Sequence, residues 1–178
     1  MLTRMRKTVA DYMAYDEERV ELIDGEFLVT ASPTPRHQEV IGNLYVLLRY
    51  QLKKFRATKV YLSPFDTILS RFDVVQPDLV LLSNGSLKRL RPKLEGPPDV
   101  AIEVLSKLSK KHDLVTKRNL YHEFRFPEYW IVDPDKETVT VLLWRPDDWL
   151  EHGVFKRGEL VTSEVMKGVV APVSEIFE

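Results

Sequence analysis

One acidic residue stands inside an otherwise apolar hexapeptide, Val100-Ala101-Ile102-Glu103-Val104-Leu105. A short apolar run of this kind reads as a strand covered on both faces. A carboxylate buried there is costly unless a cation or hydrogen bonds meet it, so the fold must supply them. A second carboxylate, Asp78, opens the run Asp78-Leu79-Val80-Leu81-Leu82, directly after Pro77. The chain then turns cation-rich, with Lys110-Lys111-His112-Asp113 and, one helical turn on, Lys117. Two carboxylates suit a hard divalent cation such as Mg²⁺ or Mn²⁺, which needs only one or two from the protein. A lysine beside them would stabilise charge on a phosphate. Together these are the parts of a phosphodiester-cleaving site.

The order of elements gives the fold class. Thr8 and Asp11 form a capping box for a short helix. Val20-Glu21-Leu22-Ile23 and the run from Glu26 to Ala31 flank Asp24-Gly25, a strong hairpin signal. After Ser32-Pro33-Thr34-Pro35 comes the clearest helix, about 36–55, with Val40, Ile41, Leu44, Leu47, Leu48 and Leu52 on one stripe. Strands are expected at 59–62 and 66–69, then at Asp78 and at Glu103. A second helix, about 112–124, carries Asp113, Lys117 and Tyr121 on one face. Tyr129-Trp130-Ile131-Val132 is the next strand, and 138–144 with 154–165 read as a C-terminal antiparallel meander. This order predicts an α+β or mixed α/β domain. The 178 residues are enough for one domain spanning the chain.

Each candidate residue has a plainer reading. Asp78 could cap a turn, and Glu103 could point outward from an edge strand. Lys117 could be a surface lysine. His37, at the start of the long helix, could cap it or touch a phosphate or a metal-bound water. Glu39, one turn in, and Glu21, in the first hairpin strand, are accessory acids, although Glu21 also fits a solvent-facing position. Asp99 shares a strand face with Glu103 but follows Pro98, which favours a turn. Tyr129 and Trp130 read as core; Trp144 and Trp149 read as core or as a subunit contact.

Several classes are excluded. The chain has no cysteine, hence no disulfide, thiol nucleophile or thiolate zinc site. His112 and His122 lack zinc-pair spacing, and there is no glycine-rich phosphate loop and no Gly-x-Ser-x-Gly elbow. No segment is apolar over the length of a membrane span. The basic start has no apolar core behind it, so no secretion signal is expected and a cytoplasmic location fits. The net charge of −1 gives no global sign of nucleic-acid binding. Lys88, Arg89, Arg91 and Lys93, and then Lys107, Lys110, Lys111, Lys117 and Arg118, are local basic clusters. They are either solvated faces or contacts for a phosphate backbone.

Six pieces occur in order: Glu21-Leu22-Ile23-Asp24-Gly25-Glu26, Pro33-Thr34-Pro35-Arg36-His37, Gln76-Pro77-Asp78, Glu103-Val104-Leu105-Ser106, Asp113…Lys117…Tyr121, and Pro127-Glu128-Tyr129-Trp130-Ile131-Val132-Asp133-Pro134. Over roughly residues 8–145 the chain resembles the Uma-two family of bacterial proteins, within the PD-(D/E)XK restriction-endonuclease-like superfamily. The resemblance implies a restriction-endonuclease-like central mixed sheet flanked by helices, with Asp78 and Glu103 as metal-binding acids. The superfamily's usual lysine, two residues after the acid, is here Leu105. The family pattern places that lysine on the following helix, matching Lys117, and turns His37 and Glu21 toward the site. Lys107 stands where relatives carry proline, which implies a local loop change.

The expectation is a Mg²⁺- or Mn²⁺-dependent nuclease acting on nucleic acid, with DNA favoured over RNA. A homodimer is expected because one small domain makes one nick. The alternatives are a non-catalytic nucleic-acid- or partner-binding module on the same fold, and a homodimeric structural protein joined through its C-terminal strands and Trp149.

Overall fold

The structure is a computed structural model, which describes residues 5–15, 19–29, 32–54, 58–107 and 109–178. Thr30 and Ala31 of the expected return strand, and Phe55 at the expected helix end, lie outside the described residues.

The N-terminal elements follow local chemistry. Helix α1 (Val9–Met13) starts at Thr8, whose backbone N–H donates to Asp11 Oδ2 at 2.8 Å, while the Asp11 N–H donates to Thr8 Oγ1. Strands β1 (Val20–Ile23) and β2 (Glu26–Val29) form the expected hairpin. Both turn residues have positive φ, 51° at Asp24 and 74° at Gly25, as a primed two-residue turn requires. A Cβ on Gly25 would sit 2.6 Å from that of Arg6, so the close approach also needs glycine.

Helix α2 (Pro35–Leu52) begins with Pro35 at its first turn and Thr34 as cap, Oγ1 accepting the His37 N–H. Its Val40, Leu44, Leu48 and Leu52 are buried, so the three-and-four stripe is the core face. The following strands are β3 (Lys59–Leu62), β4 (Thr67–Ser70), β5 (Asp73–Val75) and β6 (Leu79–Leu82). A short helix α3 (Asn84–Leu87), β7 (Leu94–Glu95) and β8 (Val100–Val104) come next. A π-helical turn (His112–Lys117) runs into α4 (Arg118–Glu123). Then follow β9 (Glu128–Asp133), β10 (Thr138–Leu143), β11 (Leu150–Lys156), β12 (Leu160–Thr162), β13 (Val170–Pro172) and α5 (Val173–Ile176).

The central sheet has the order β11-β10-β9-β8-β6-β3 and is mixed: β8 and β9 run parallel, the other neighbours antiparallel. A smaller sheet has the order β2-β1-β5-β4-β7. Alternation along β8 decides what covers each face of the central sheet. Val100, Ile102 and Val104 join the cluster of α2, β12, β13 and α5. Ala101 and Leu105 join Leu120, Tyr121, Phe126 and Tyr129 on the opposite face. Glu103 has the parity of that second face. Strand β8 lies between β6 and β9, so Glu103 is not on an edge strand.

The C-terminal region departs from the expected meander. Strand β11 pairs with β10, but the chain turns at Gly158 (φ 92°) and β12 pairs with β13 instead. The reason is burial: Val161, Val169 and Ala171 cover the core face of α2. Trp149 packs within the chain itself. It is buried against Tyr129 and His122, and its Nε1–H donates to Arg118 O at 3.0 Å. Asp99 does lie in a turn, where its carboxylate accepts from the Ser83 N–H and hydroxyl.

A buried polar knot ties the small sheet together. Asp66 Oδ1 accepts from the Tyr12 hydroxyl at 2.9 Å and from Gln76 Nε2 at 2.8 Å, and Lys93 pairs with Oδ2 at 2.7 Å. Burial alone would raise the Asp66 pKa; the bonds from Lys93, Gln76 and Tyr12 outweigh it and hold it below the usual value.

Two predictions follow from this packing. Leu48→Ala should cost about 2–5 kcal/mol in urea unfolding, and Val46→Ala, on the exposed face of α2, should stay within about 0.5 kcal/mol. The depressed Asp66 pKa stabilises the fold above the unfolded carboxyl value near 4, and this contribution fades as pH falls through the lower folded value. Asp66→Asn should therefore be less stable than wild type near neutral pH and lose less stability on acidification below about pH 4.

Candidate active site

Register brings the two principal acids together. Leu79 pairs with Ile102 across antiparallel β6 and β8, so Asp78, one residue earlier, faces Glu103. The Val104 N–H donates to Asp78 Oδ2 at 2.8 Å and fixes its rotamer. His37, in the first turn of α2, places Nε2 3.2 Å from the same oxygen. His37 Nδ1 is buried and has no hydrogen-bond partner among the described residues. Asp78 Oδ1 takes no hydrogen bond from the described residues either.

Lys117 lies at the centre. Its Nζ is 2.9 Å from Glu103 Oε1, 3.0 Å from Glu21 Oε1 and 3.9 Å from Asp113 Oδ1. The Tyr121 hydroxyl donates to Glu103 Oε1 at 2.6 Å. The Arg118 N–H reaches back to Asp113 O, closing the wide turn of the π segment. That turn faces Asp113 and Lys117 inward together, as their shared spacing with Tyr121 predicted. Lys117 is not a surface lysine: it is 4% exposed, and Glu103 is 2% exposed.

Glu21 is fully buried rather than solvent-facing, because β1 is covered on both faces. Its Oε2 meets His112 Nε2 at 3.0 Å, and its Oε1 also accepts the Gln76 N–H at 2.7 Å. Gln76 thus links the Asp66 knot, through its side chain, to the site, through its backbone. The Gln76 and His112 contacts and the Tyr121 bond to Glu103 were not read from the sequence. The four-residue spacing Asp113-Lys117-Tyr121 was a usable signal for Tyr121; Gln76 acts through its backbone and gave none. Glu39 is exposed and pairs with Arg36 at 3.5 Å, so helix geometry turns it away from the cluster.

The charges are unbalanced. Burial raises the Glu103 pKa, and Asp78, Asp113 and Glu21 raise it further, so it lies well above its usual range despite Lys117. Asp113 is also raised, first by burial. Glu21 goes the other way: burial is outweighed by Lys117, His112 and the Gln76 N–H, and its pKa falls to about 2. Burial would lower Lys117, but Glu103, Glu21, Asp113 and Asp78 keep it protonated. For His37 too, burial is outweighed, here by Asp78, and its pKa rises.

His37, Asp78, His112, Asp113 and Lys117 line one side of a cavity of about 590 Å³. Among the described residues no cluster of three or more His, Asp or Glu has metal-holding geometry. The carboxylate oxygens of Asp78 and Glu103 are hard donors of the kind that Mg²⁺ or Mn²⁺ takes. The basic clusters are partly engaged inside the fold. Arg89 donates to Glu95 O and Pro97 O, Lys93 pairs with Asp66, and Lys110 pairs with Asp133. Lys93 and Lys110 remain about 40% exposed in these pairs, so each also faces solvent.

A family model described as "Uma2: Putative restriction endonuclease" matches residues 9–174. The chain belongs to the Uma2 family. Among solved structures it is similar to one described as "a putative nuclease belonging to DUF820 from Anabaena variabilis ATCC 29413", with a TM-score of 0.78 and 18% identity over 96% of this chain and 97% of that one. At that identity the likeness shows the mixed α+β fold. No curated protein matches. Among the described residues no helix is long and apolar enough to cross a membrane.

Removing the central ammonium would leave Glu21 and Glu103 buried without their shared cation. Lys117→Ala should therefore lower stability by about 3–5 kcal/mol in urea denaturation. A loss under about 1 kcal/mol would mean that water already screens the cluster.

Proposed function

We propose that this Uma2 protein is a metal-dependent nuclease that hydrolyses phosphodiester bonds in nucleic acid. The observation that carries the reading is the facing pair Asp78 and Glu103 on adjacent strands, with Lys117 Nζ 2.9 Å from Glu103. Asp78 and Glu103 would hold Mg²⁺ or Mn²⁺. Bound there, the ion would polarise the phosphate and acidify a water.

The remaining roles belong to the chain's own residues. Lys117, protonated, stabilises the charge that builds on the phosphate oxygens. His37 holds Asp78 through Nε2 and presents its unpartnered Nδ1 for a water or phosphate oxygen. Tyr121 and Glu21 fix Glu103 and Lys117 in place. Hydrolysis adds one water: its oxygen bonds to phosphorus and the bond to the leaving sugar oxygen breaks. One water proton ends on that oxygen and the other is lost from the new phosphomonoester.

A second reading has its own support. Lys117 already sits between Glu21 and Glu103, so the acids are satisfied without a metal, as they would be in a non-catalytic binding module. A calorimetric Mn²⁺ titration separates the two. Saturable binding by wild type that is lost in Asp78→Ala and Glu103→Ala is expected for the nuclease. Asp78 is partly exposed, so its variant should remain folded. No binding by wild type, with or without a short oligonucleotide, would favour the module.

A further inference from the structure

Asp78, Asp113 and Lys117 line the cavity, Lys117 Nζ lies 2.9 Å from Glu103, and the size of that cavity limits the substrate. Glu103 and Lys117 are almost fully buried, so a reacting phosphate must enter to approach them. The cavity, about 590 Å³, falls in the range of small-ligand pockets, roughly 300–1,000 Å³. One nucleotide is of that size; a stacked and paired duplex is not. Duplex phosphates ride on a stiff rod and bring their paired bases with them.

The lining of the cavity also includes apolar residues, interleaved with Arg19, Ser32, Gln38 and Ser63. It carries Val29 from β2, Ile41 from α2, Leu62 at the end of β3, and Pro64. Val29 is 71% exposed and Leu62 38% exposed. Those four side chains carry no hydrogen-bond donor. They do suit the face of a nucleobase, which in a duplex is already covered by its stacked neighbours.

We propose that the nucleic acid is unpaired where it is cut, as a single strand, flap or frayed end, with its exposed base against the Val29–Leu62 wall and its phosphate at Asp78 and Glu103. This rests on the nuclease reading above.

The test is Mn²⁺-dependent cleavage by the full chain of one labelled strand in three forms: free, in a blunt duplex, and in a duplex with an unpaired flap. DNA and RNA versions are run in parallel. The free strand and flap should be cut at least about tenfold faster than the blunt duplex, with cuts in the unpaired part. The double variant Val29→Ser and Leu62→Ser, checked for wild-type folding by circular dichroism, should raise KM for the free strand and leave Mn²⁺ binding unchanged. Equal rates on free strand and blunt duplex would overturn this proposal and keep the nuclease reading. A double variant with unchanged KM would overturn the role of the apolar wall. No cleavage of any form by Mn²⁺-loaded protein would overturn both proposals.

Discussion

A single ammonium group joins the two sheets. Lys117 Nζ touches Glu21 in β1 of the smaller sheet and Glu103 in β8 of the central sheet. Neither carboxylate tolerates burial alone, and Lys117 tolerates it only because both are present. The π turn that delivers Lys117 also delivers Asp113, and Tyr121 follows one turn later onto Glu103. The position of the smaller sheet, the crossover between β8 and β9, and the acids of the cavity are thus linked through one charge. Four carboxylates surround that lysine, and together they hold it protonated against the cost of burial.

Much of this was legible in the sequence, for identifiable reasons. Glu103 stood out because apolar residues flank it on both sides, as in a strand covered on both faces. The hairpin was legible because Asp24-Gly25 has few other uses. The core face of α2 followed from its spacing, and the Asp11 capping box from its residues. These are local signals, and the three-dimensional fold did not override them.

What stayed hidden depends on distant parts of the chain. Glu21 alternates with apolar residues as an exposed strand residue would, and only the cover from other elements reveals its burial. Glu39 looked like a third acid because it lies one turn into the helix, but it stands two residues from His37, about half a helical turn, which faces it to solvent. Arg89 and Lys93 read as a basic patch, yet one braces backbone carbonyls and the other answers a buried aspartate. A charge count along the sequence cannot separate a cation held by the fold from one offered to a partner.

The Pro-Glu-Tyr-Trp block, the most recognisable stretch of the chain, meets the acid cluster through the backbone of Asp113, whose carbonyl accepts from the Tyr129 hydroxyl at 3.2 Å, and otherwise serves packing. Glu128 accepts from Trp130 Nε1 at 2.6 Å and from the Glu164 and Val165 N–H groups, so it anchors the loop between β12 and β13 to the central sheet. Tyr129 and Trp130 are fully buried on opposite faces of that sheet. Selection on this block would preserve packing even in a chain that had lost its chemistry. The acids are different: Asp78 opens onto the cavity, and its Oδ1 takes no bond from the described residues. A variant that kept the block and lost Asp78 would keep the fold without the site, so function in such chains has to be read from the acids and not from the most conspicuous motif.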